Sequence, residues 1–189
     1  MRKHLSTYRR WLIPLLVGPG LVLGSYLGYI HEQGNFHIVA PDRMYRSRQL
    51  DQAELIHYIN TYQIKSIVNL RGVNTGSDWY QDEIRVADEL GVTHYDYGIS
   101  ANREVSDEDL NAIMDILRDA PKPILIHCKS GADRTGLIAA LFQYAQGDKS
   151  AEDAAGQLSM RYGHLPFFWN STAAMDRTFW RYVNSDARR

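Results

Sequence analysis

Ten consecutive residues, His127-Cys128-Lys129-Ser130-Gly131-Ala132-Asp133-Arg134-Thr135-Gly136, hold the only cysteine of the chain and, after five intervening residues, an arginine. The apolar run Pro123-Ile124-Leu125-Ile126 before them reads as a buried strand, and Leu137-Ile138-Ala139-Ala140-Leu141-Phe142 after them as a buried helix face. A strand-turn-helix of this kind points consecutive backbone N–H groups and the positive end of the helix dipole into one small concavity. Such a concavity suits a phosphate dianion. It equally suits a thiolate, because a thiol at a helix N-terminus beside an arginine ionises more readily and becomes a nucleophile at neutral pH.

Each residue then has a chemical role. Cys128 attacks phosphorus and carries a phosphoryl group, while Arg134 grips two phosphate oxygens in a planar fork that lysine cannot form. The backbone of Lys129, Ser130, Gly131, Ala132, Asp133, Arg134 and Thr135 wraps the substrate phosphate, and Gly131 permits the tight turn. The Thr135 hydroxyl donates to the sulfur and helps it leave, and His127 orders the loop through hydrogen bonds. A lone cysteine between strand and helix is ordinarily a small buried hydrophobe; the full constellation favours the nucleophile.

His-Cys, five residues, then Arg-Thr-Gly resembles the signature of the cysteine-dependent phosphatases of protein tyrosine and dual-specificity type. Three further segments share the resemblance: Arg43-Met44-Tyr45-Arg46-Ser47-Arg48-Gln49-Leu50, Ile64-Lys65-Ser66-Ile67-Val68-Asn69-Leu70-Arg71, and Gly91-Val92-Thr93-His94-Tyr95-Asp96-Tyr97-Gly98-Ile99. Together they span about residues 36 to 183, and the subgroup they resemble most is the bacterial membrane-associated or periplasmic tyrosine phosphatases of dual-specificity type. The resemblance implies a phosphocysteine intermediate, phosphotyrosine in protein as the favoured substrate and no cofactor or metal.

The elements needed to hold such a loop are readable along the chain. A strand pair is expected at Phe36–Val39 and Met44–Arg46, then a helix at Asp51–Thr61 with Asp51 as N-cap. A strand at Ile64–Leu70, a loop over Gly72–Ser77 and a helix at Asp78–Leu90 ended by Gly91 follow. After a strand at Val92–Ile99, Ser106-Asp107-Glu108-Asp109 opens a helix running to Arg118. The loop strand and helix come next, then a helix at Ala151–Tyr162. The aromatic tail, Phe167-Phe168-Trp169 with Phe179, Trp180 and Tyr182, supplies a last helix packed on the sheet. This alternation predicts an α/β fold with a central, mostly parallel sheet flanked by helices, its ligand at the carboxyl end of the strands.

The N-terminus divides the chain further. Residues 1–10 are basic, and 11–30 form an uncharged stretch of bilayer-spanning length that reads as a transmembrane signal anchor. Residues 31–35 form a polar linker and 36–189 the phosphatase domain. A cleaved signal peptide is the rival reading, disfavoured by the length of the run and the lack of an Ala-x-Ala site. Gly20, Gly24 and Gly28 have a helix-pairing spacing. Positive charge before the span predicts a single-pass protein of a bacterial inner membrane with its catalytic domain in the periplasm.

Four of the 21 basic residues and none of the 22 acidic ones lie in residues 1–30, so the remainder carries 17 basic against 22 acidic, a net of −5. That sign argues against nucleic-acid partners and against broad attraction to anionic lipid. No metal-ligand cluster is visible. His4, His31, His37, His57, His94 and His164 read as surface or satisfied packing residues. One cysteine leaves no internal disulfide.

The leaving alcohol needs a proton donor. The resemblance implies an aspartate from the loop after the Val92–Ile99 strand, but that loop reads Ser100-Ala101-Asn102-Arg103-Glu104-Val105-Ser106-Asp107, with Asn102 or Arg103 where the pattern has aspartate. Asp107 is taken as the general acid, with Asp96, Glu104 and Asp133 as alternatives; Asp133 could instead pair with Arg134. Two other functions stay open: a lipid or phosphoinositide-like head-group phosphatase, supported by Lys129 and the tether, and a catalytically idle module that binds phosphorylated partners.

Overall fold

A computed structural model describes residues 18–146, 149–167 and 171–186. Its centre is one five-stranded sheet in the order β1-β2-β5-β3-β4, formed by β1 (His37–Ala40), β2 (Met44–Ser47), β3 (Ser66–Asn69), β4 (Thr93–Asp96) and β5 (Ile124–His127). Only the edge strand β1 is antiparallel; β2, β5, β3 and β4 are mutually parallel. The α/β class with a mostly parallel sheet is therefore observed.

Helix α1 is described over 18–32. The others are α2 (Gln52–Tyr62), α3 (Asp78–Leu90), α4 (Asp107–Asp119), α5 (Asp133–Ala145), α6 (Ala151–Ala155) and α7 (Ala173–Asp186). Their starts follow from capping chemistry. The Asp51 side chain accepts from the Glu54 amide while Glu54 reaches back to the Asp51 amide, a reciprocal capping box. Ser106 caps α4 through the Asp109 amide. Gly91, at φ 65°, ends α3 in the left-handed conformation that glycine adopts without penalty.

Strand alternation sorts the core into two layers. Met44, Val68, Ile124 and Ile126 point to the side covered by α4, α5, α6 and α7. Tyr45, Ile67 and Leu125 point to the side covered by α2 and α3. Fully burying each such side chain contributes roughly 1.5–3 kcal/mol.

Two expectations need correction. The helix expected over Ala151–Tyr162 ends at Ala155 and resumes only as a 3₁₀ turn at Met160–Tyr162. The intervening Gln157 carbonyl is drawn away to accept a hydrogen bond from buried Arg46, and it also packs where a Cβ on Gly136 would sit 2.8 Å away. Residues 31–35 are also no free linker. Helix α1 runs through residue 32, and Asn35 is 3% exposed and bonded to the loop after β5.

Among the described residues no helix is long and apolar enough to cross a membrane. The basic segment 1–10 and residues 11–17 of the expected span lie outside the described residues, as do Phe168 and Trp169. Within α1, Ile30 is buried, whereas Leu21, Val22 and Tyr29 are exposed. In the tail, Phe179 is buried against the α5 side of the sheet, Tyr182 packs beside it, and Phe167 is exposed.

Candidate active site

The parallel strands finish on one polar rung: Ser47, His127, Asn69 and Asp96 lie in register across the sheet. Cys128 directly follows β5, in the same core cluster as Ile124 and Ile126, and is 2% exposed. The chain then turns through 129–132 into α5, with Lys129 and Ser130 exposed at the lip and Gly131 and Ala132 buried beneath. Gly131 has φ +73°, and a Cβ there would stand 2.6 Å from the Ser47 carbonyl oxygen, so the turn admits no side chain.

Beneath the turn lies Arg46, fully buried because alternation sends it to the same face as Met44. Its Nη2 donates to the Gly131 carbonyl at 2.6 Å, and its Nη1 donates to the Gln157 carbonyl at 2.9 Å and to Gln157 Oε1 at 2.6 Å. The guanidinium stacks on Tyr162 at 3.9 Å. Burial lowers its pKa to about 10, against the pull of Tyr162, Cys128 and Asp133. Asn35 adds a second tie, donating to the carbonyls of Ser130 and Tyr162, each at 2.9 Å.

The His127 side chain is tied to α3 rather than to the loop, and its Nδ1 is buried with no partner among the described residues. Its Nε2 meets Glu83 Oε1 at 3.1 Å, and the same carboxylate takes His94 Nε2 at 2.8 Å and the Gln49 amide at 2.6 Å. Burial opposes the Glu83 charge, but the nearby His127 and these hydrogen bonds outweigh it and hold the carboxyl well below its usual range. Gln49 in turn accepts from Arg71 Nη1 at 3.1 Å, and the Arg71 guanidinium lies on the Trp79 ring at 3.5 Å.

Arg134 Nη1 is held by the carbonyls of Leu70 (3.1 Å) and Ile99 (3.2 Å), while its Nε is buried with no partner among the described residues. A guanidinium fixed at one corner with an unsatisfied N–H is equipped to bind an anion. The Thr135 hydroxyl is also buried and unpartnered, so the expected donation to the sulfur is not among its contacts here. Asp133 pairs with His164 Nδ1 at 2.6 Å rather than with Arg134, and His164 Nε2 meets Asp176 at 2.9 Å. Burial works against the His164 charge, but the two carboxylates prevail and raise its pKa to about 9.

A cavity of about 340 Å³ adjoins Arg134 through Ile99 and is lined by Ser100, Arg103, Glu104, Val105, Ser106 and Asp109 among others. The expected acid Asp107 is not among its lining residues. Its side chain is 78% exposed and pairs with Arg181 at 3.2 Å, on the outside of α4. Glu104 accepts from Arg177 and Arg181, each at 2.8 Å, which hold it below the usual carboxylate range. Asp109 accepts from Ser106 and Tyr97 and is likewise lowered. Asp96 accepts from Asn69 at 2.7 Å and Tyr80 at 2.5 Å. Every carboxylate considered for the acid is thus already engaged.

The strand, turn and helix expected around Cys128 and Arg134 are present, and the sequence reading assigned no role to Arg46, Arg71 or Glu83. Arg46 carried the one available signal: a charged residue on the inward phase of a strand reading Met44-Tyr45-Arg46-Ser47. Among the described residues no group of His, Cys, Asp or Glu is placed to hold a metal ion.

A family model described as the tyrosine phosphatase family matches residues 26–154. Among solved structures, TpbA of P. aeruginosa is similar at 20% identity with a TM-score of 0.63, over 79% of this chain and 86% of that one. The complex of TpbA with pTyr, also 20% identical, matches over 80% of this chain and 92% of that one with a TM-score of 0.60. The core catalytic domain of the PP-IP phosphatase SIW14 from S. cerevisiae, solved with citrate, is 21% identical and covers 81% of this chain and 93% of its own, with a TM-score of 0.58. No curated protein sequence matches.

Proposed function

The chain belongs to the tyrosine phosphatase family of cysteine-dependent phosphatases, and on that premise we propose that it hydrolyses phosphotyrosine in protein through a phosphocysteine intermediate on Cys128. The observation that carries this reading is the pairing of the Cys128 loop with an Arg134 guanidinium whose buried Nε has no partner among the described residues. In the first step Cys128 Sγ bonds to phosphorus as the bond to the leaving oxygen breaks. In the second, water attacks phosphorus, the S–P bond breaks with its electron pair returning to sulfur, and inorganic phosphate leaves. Arg134 and the loop amides hold the phosphoryl oxygens through both steps.

The leaving group decides between substrates. Glu104 and Asp109 are held ionised, Asp107 is paired with Arg181 and Asp133 with His164, which makes this a site with weak general-acid assistance. An aryl oxide leaves without full protonation and an alkoxide does not; hence phosphotyrosine is favoured over phosphoserine and over lipid head groups. The acidic remainder of the chain also disfavours an anionic lipid surface.

The test is phosphate release, in chelator, from matched phosphotyrosyl and phosphoseryl peptides and a phosphorylated lipid, with Cys128→Ser as control. Cys128-dependent release favouring phosphotyrosine supports the reading. Preference for the lipid overturns the protein substrate, and no release with retained binding by Cys128→Ser replaces the enzyme with a binding module.

The same reading keeps residues 11–30 as a membrane anchor with a periplasmic catalytic domain, supported by the uncharged run after four basic residues and by the exposed Leu21, Val22 and Tyr29. Protease added outside spheroplasts should digest the domain; protection of the domain would reverse the orientation.

A further inference from the structure

Two arginines are set on this site by one strand end. The Leu70 carbonyl accepts from Arg134, and Arg71 is the next residue. Arg134 is held by the Leu70 and Ile99 carbonyls, beyond the ends of β3 and β4. Arg71 is half-buried and held on its flanks alone, flat on Trp79 at 3.5 Å and bonded at Nη1 to Gln49 Oε1 at 3.1 Å. Gln49 is itself part of the loop's frame: its amide N–H donates to the Lys129 carbonyl at 3.2 Å, and its side chain donates to Glu83, the carboxylate that also binds His127.

The charges around the nucleophile are unbalanced. Arg46, Arg71 and Arg134 form no ion pair with a carboxylate among the described residues, although Arg48, Arg85, Arg118, Arg177 and Arg181 all do. Arg71 shares Gln49 with the Glu83 carboxylate, and burial, with Arg134 adding to it, lowers its pKa against the pull of Glu83 and Cys128. Arg46 is sealed under the loop with its Nη1 and Nη2 on carbonyl and amide oxygens. Arg134 sits in the first turn of α5, directly after the loop. Arg71 is half-buried, and Gln49 links it to the backbone of the exposed Lys129.

We propose that Arg71 is a substrate-binding residue of this site and that it selects phosphomonoesters whose leaving group carries a second anionic group beside the scissile phosphate. The proposal rests on the phosphatase reading and narrows its substrate class. Arg71 binds the second anion through the donors not used by Gln49, and the Trp79 ring keeps the guanidinium plane fixed for a bidentate contact.

The test compares catechol bisphosphate with catechol monophosphate on the full chain. The wild type should favour the bisphosphate, and Arg71→Ala should cut the ratio of the two kcat/KM values by about tenfold or more, the factor of one charge-assisted hydrogen bond. The loss should lie in KM. Arg71→Lys should keep part of the preference, and Trp79→Leu should lose part of it with Arg71 still present. No preference in the wild type, or an equal loss on both compounds, overturns the proposal. Calorimetric titration of Cys128→Ser with both compounds, with and without Arg71→Ala, keeps the test independent of turnover. If the wild type hydrolyses neither compound, the phosphatase reading fails for this class. In that case a tenfold drop in the ratio of Kd values still supports Arg71, and an unchanged ratio overturns it.

Discussion

Replacing Arg46 by methionine should loosen the phosphate loop from below and destabilise the protein by about 2–4 kcal/mol. The side chain is fully buried and supplies donors to the Gly131 carbonyl, the Gln157 carbonyl and Gln157 Oε1. Removing them leaves three buried acceptors without partners, at about 1–3 kcal/mol each, and the sum overstates the net loss because Gln157 has room to repack. Loss of the stack on Tyr162 at 3.9 Å adds about 1 kcal/mol. Against this stands relief from burying an uncompensated guanidinium, which amounts to several kcal/mol and is seen in the lowering of its pKa to about 10. Methionine matches the volume closely enough that no large cavity is added. The measurement is urea denaturation followed by tryptophan fluorescence, with the midpoint falling at an unchanged m-value. Turnover should fall in parallel, on the order of a hundredfold, since an ångström of displacement at the loop is enough. Arg46→Lys should recover only part of the loss, because one ammonium cannot serve acceptors on opposite sides. A midpoint unchanged or raised in Arg46→Met would show that the buried charge costs more than its hydrogen bonds return.

Gly131→Ala should be worse for activity than for stability: at φ +73° with Ser47 O 2.6 Å from the added Cβ, the turn must open, and kcat/KM for an aryl phosphate should drop by about a hundredfold or more; near-normal activity would contradict the close approach of Ser47 to the turn. The Asp133–His164–Asp176 cluster gives a pH signature. The folded pKa of His164 is raised from 6.5 to about 9, so its stabilisation is complete below about pH 6.5 and is lost as pH rises through about 9. The unfolding free energy should therefore decline over that window by up to about 2 kcal/mol after solvent screening. The decline should vanish in His164→Gln; its persistence there would assign it to other groups. Asp107→Asn should lower turnover less than about threefold on aryl and alkyl phosphates alike, and a loss in the hundredfold range typical of general acids would restore Asp107 to that role.

Much of this was legible because the signals were local. The bounds of α3 follow from Asp78 and the terminating Gly91, and the start of α2 from Asp51, whose cap is written within four residues. Cys128 and Arg134 share one turn, so their spacing alone brings them together. The helix expected through residue 162 failed for a non-local reason: the carbonyl of Gln157 serves an arginine 111 positions away in sequence. Arg71 and Glu83 were missed for the same reason, since Glu83 reaches Gln49 across 34 residues and His127 across 44. The linker reading of residues 31–35 rested on polarity, which does not distinguish an asparagine in solvent from one buried against two carbonyls, as Asn35 is. The acid assignment to Asp107 followed proximity in sequence, whereas the pairing with Arg181 comes from α7.

The proposed function stands or falls on Cys128 as the carrier of the phosphoryl group. The most direct measurement is acid quenching of the full chain within the first turnovers of a phosphotyrosyl peptide, followed by mass spectrometry of its digest. A phosphoryl adduct is expected on the fragment containing Cys128, absent from Cys128→Ser together with turnover. Phosphate release that continues in Cys128→Ser, or a phosphoryl group trapped on another residue, would contradict it.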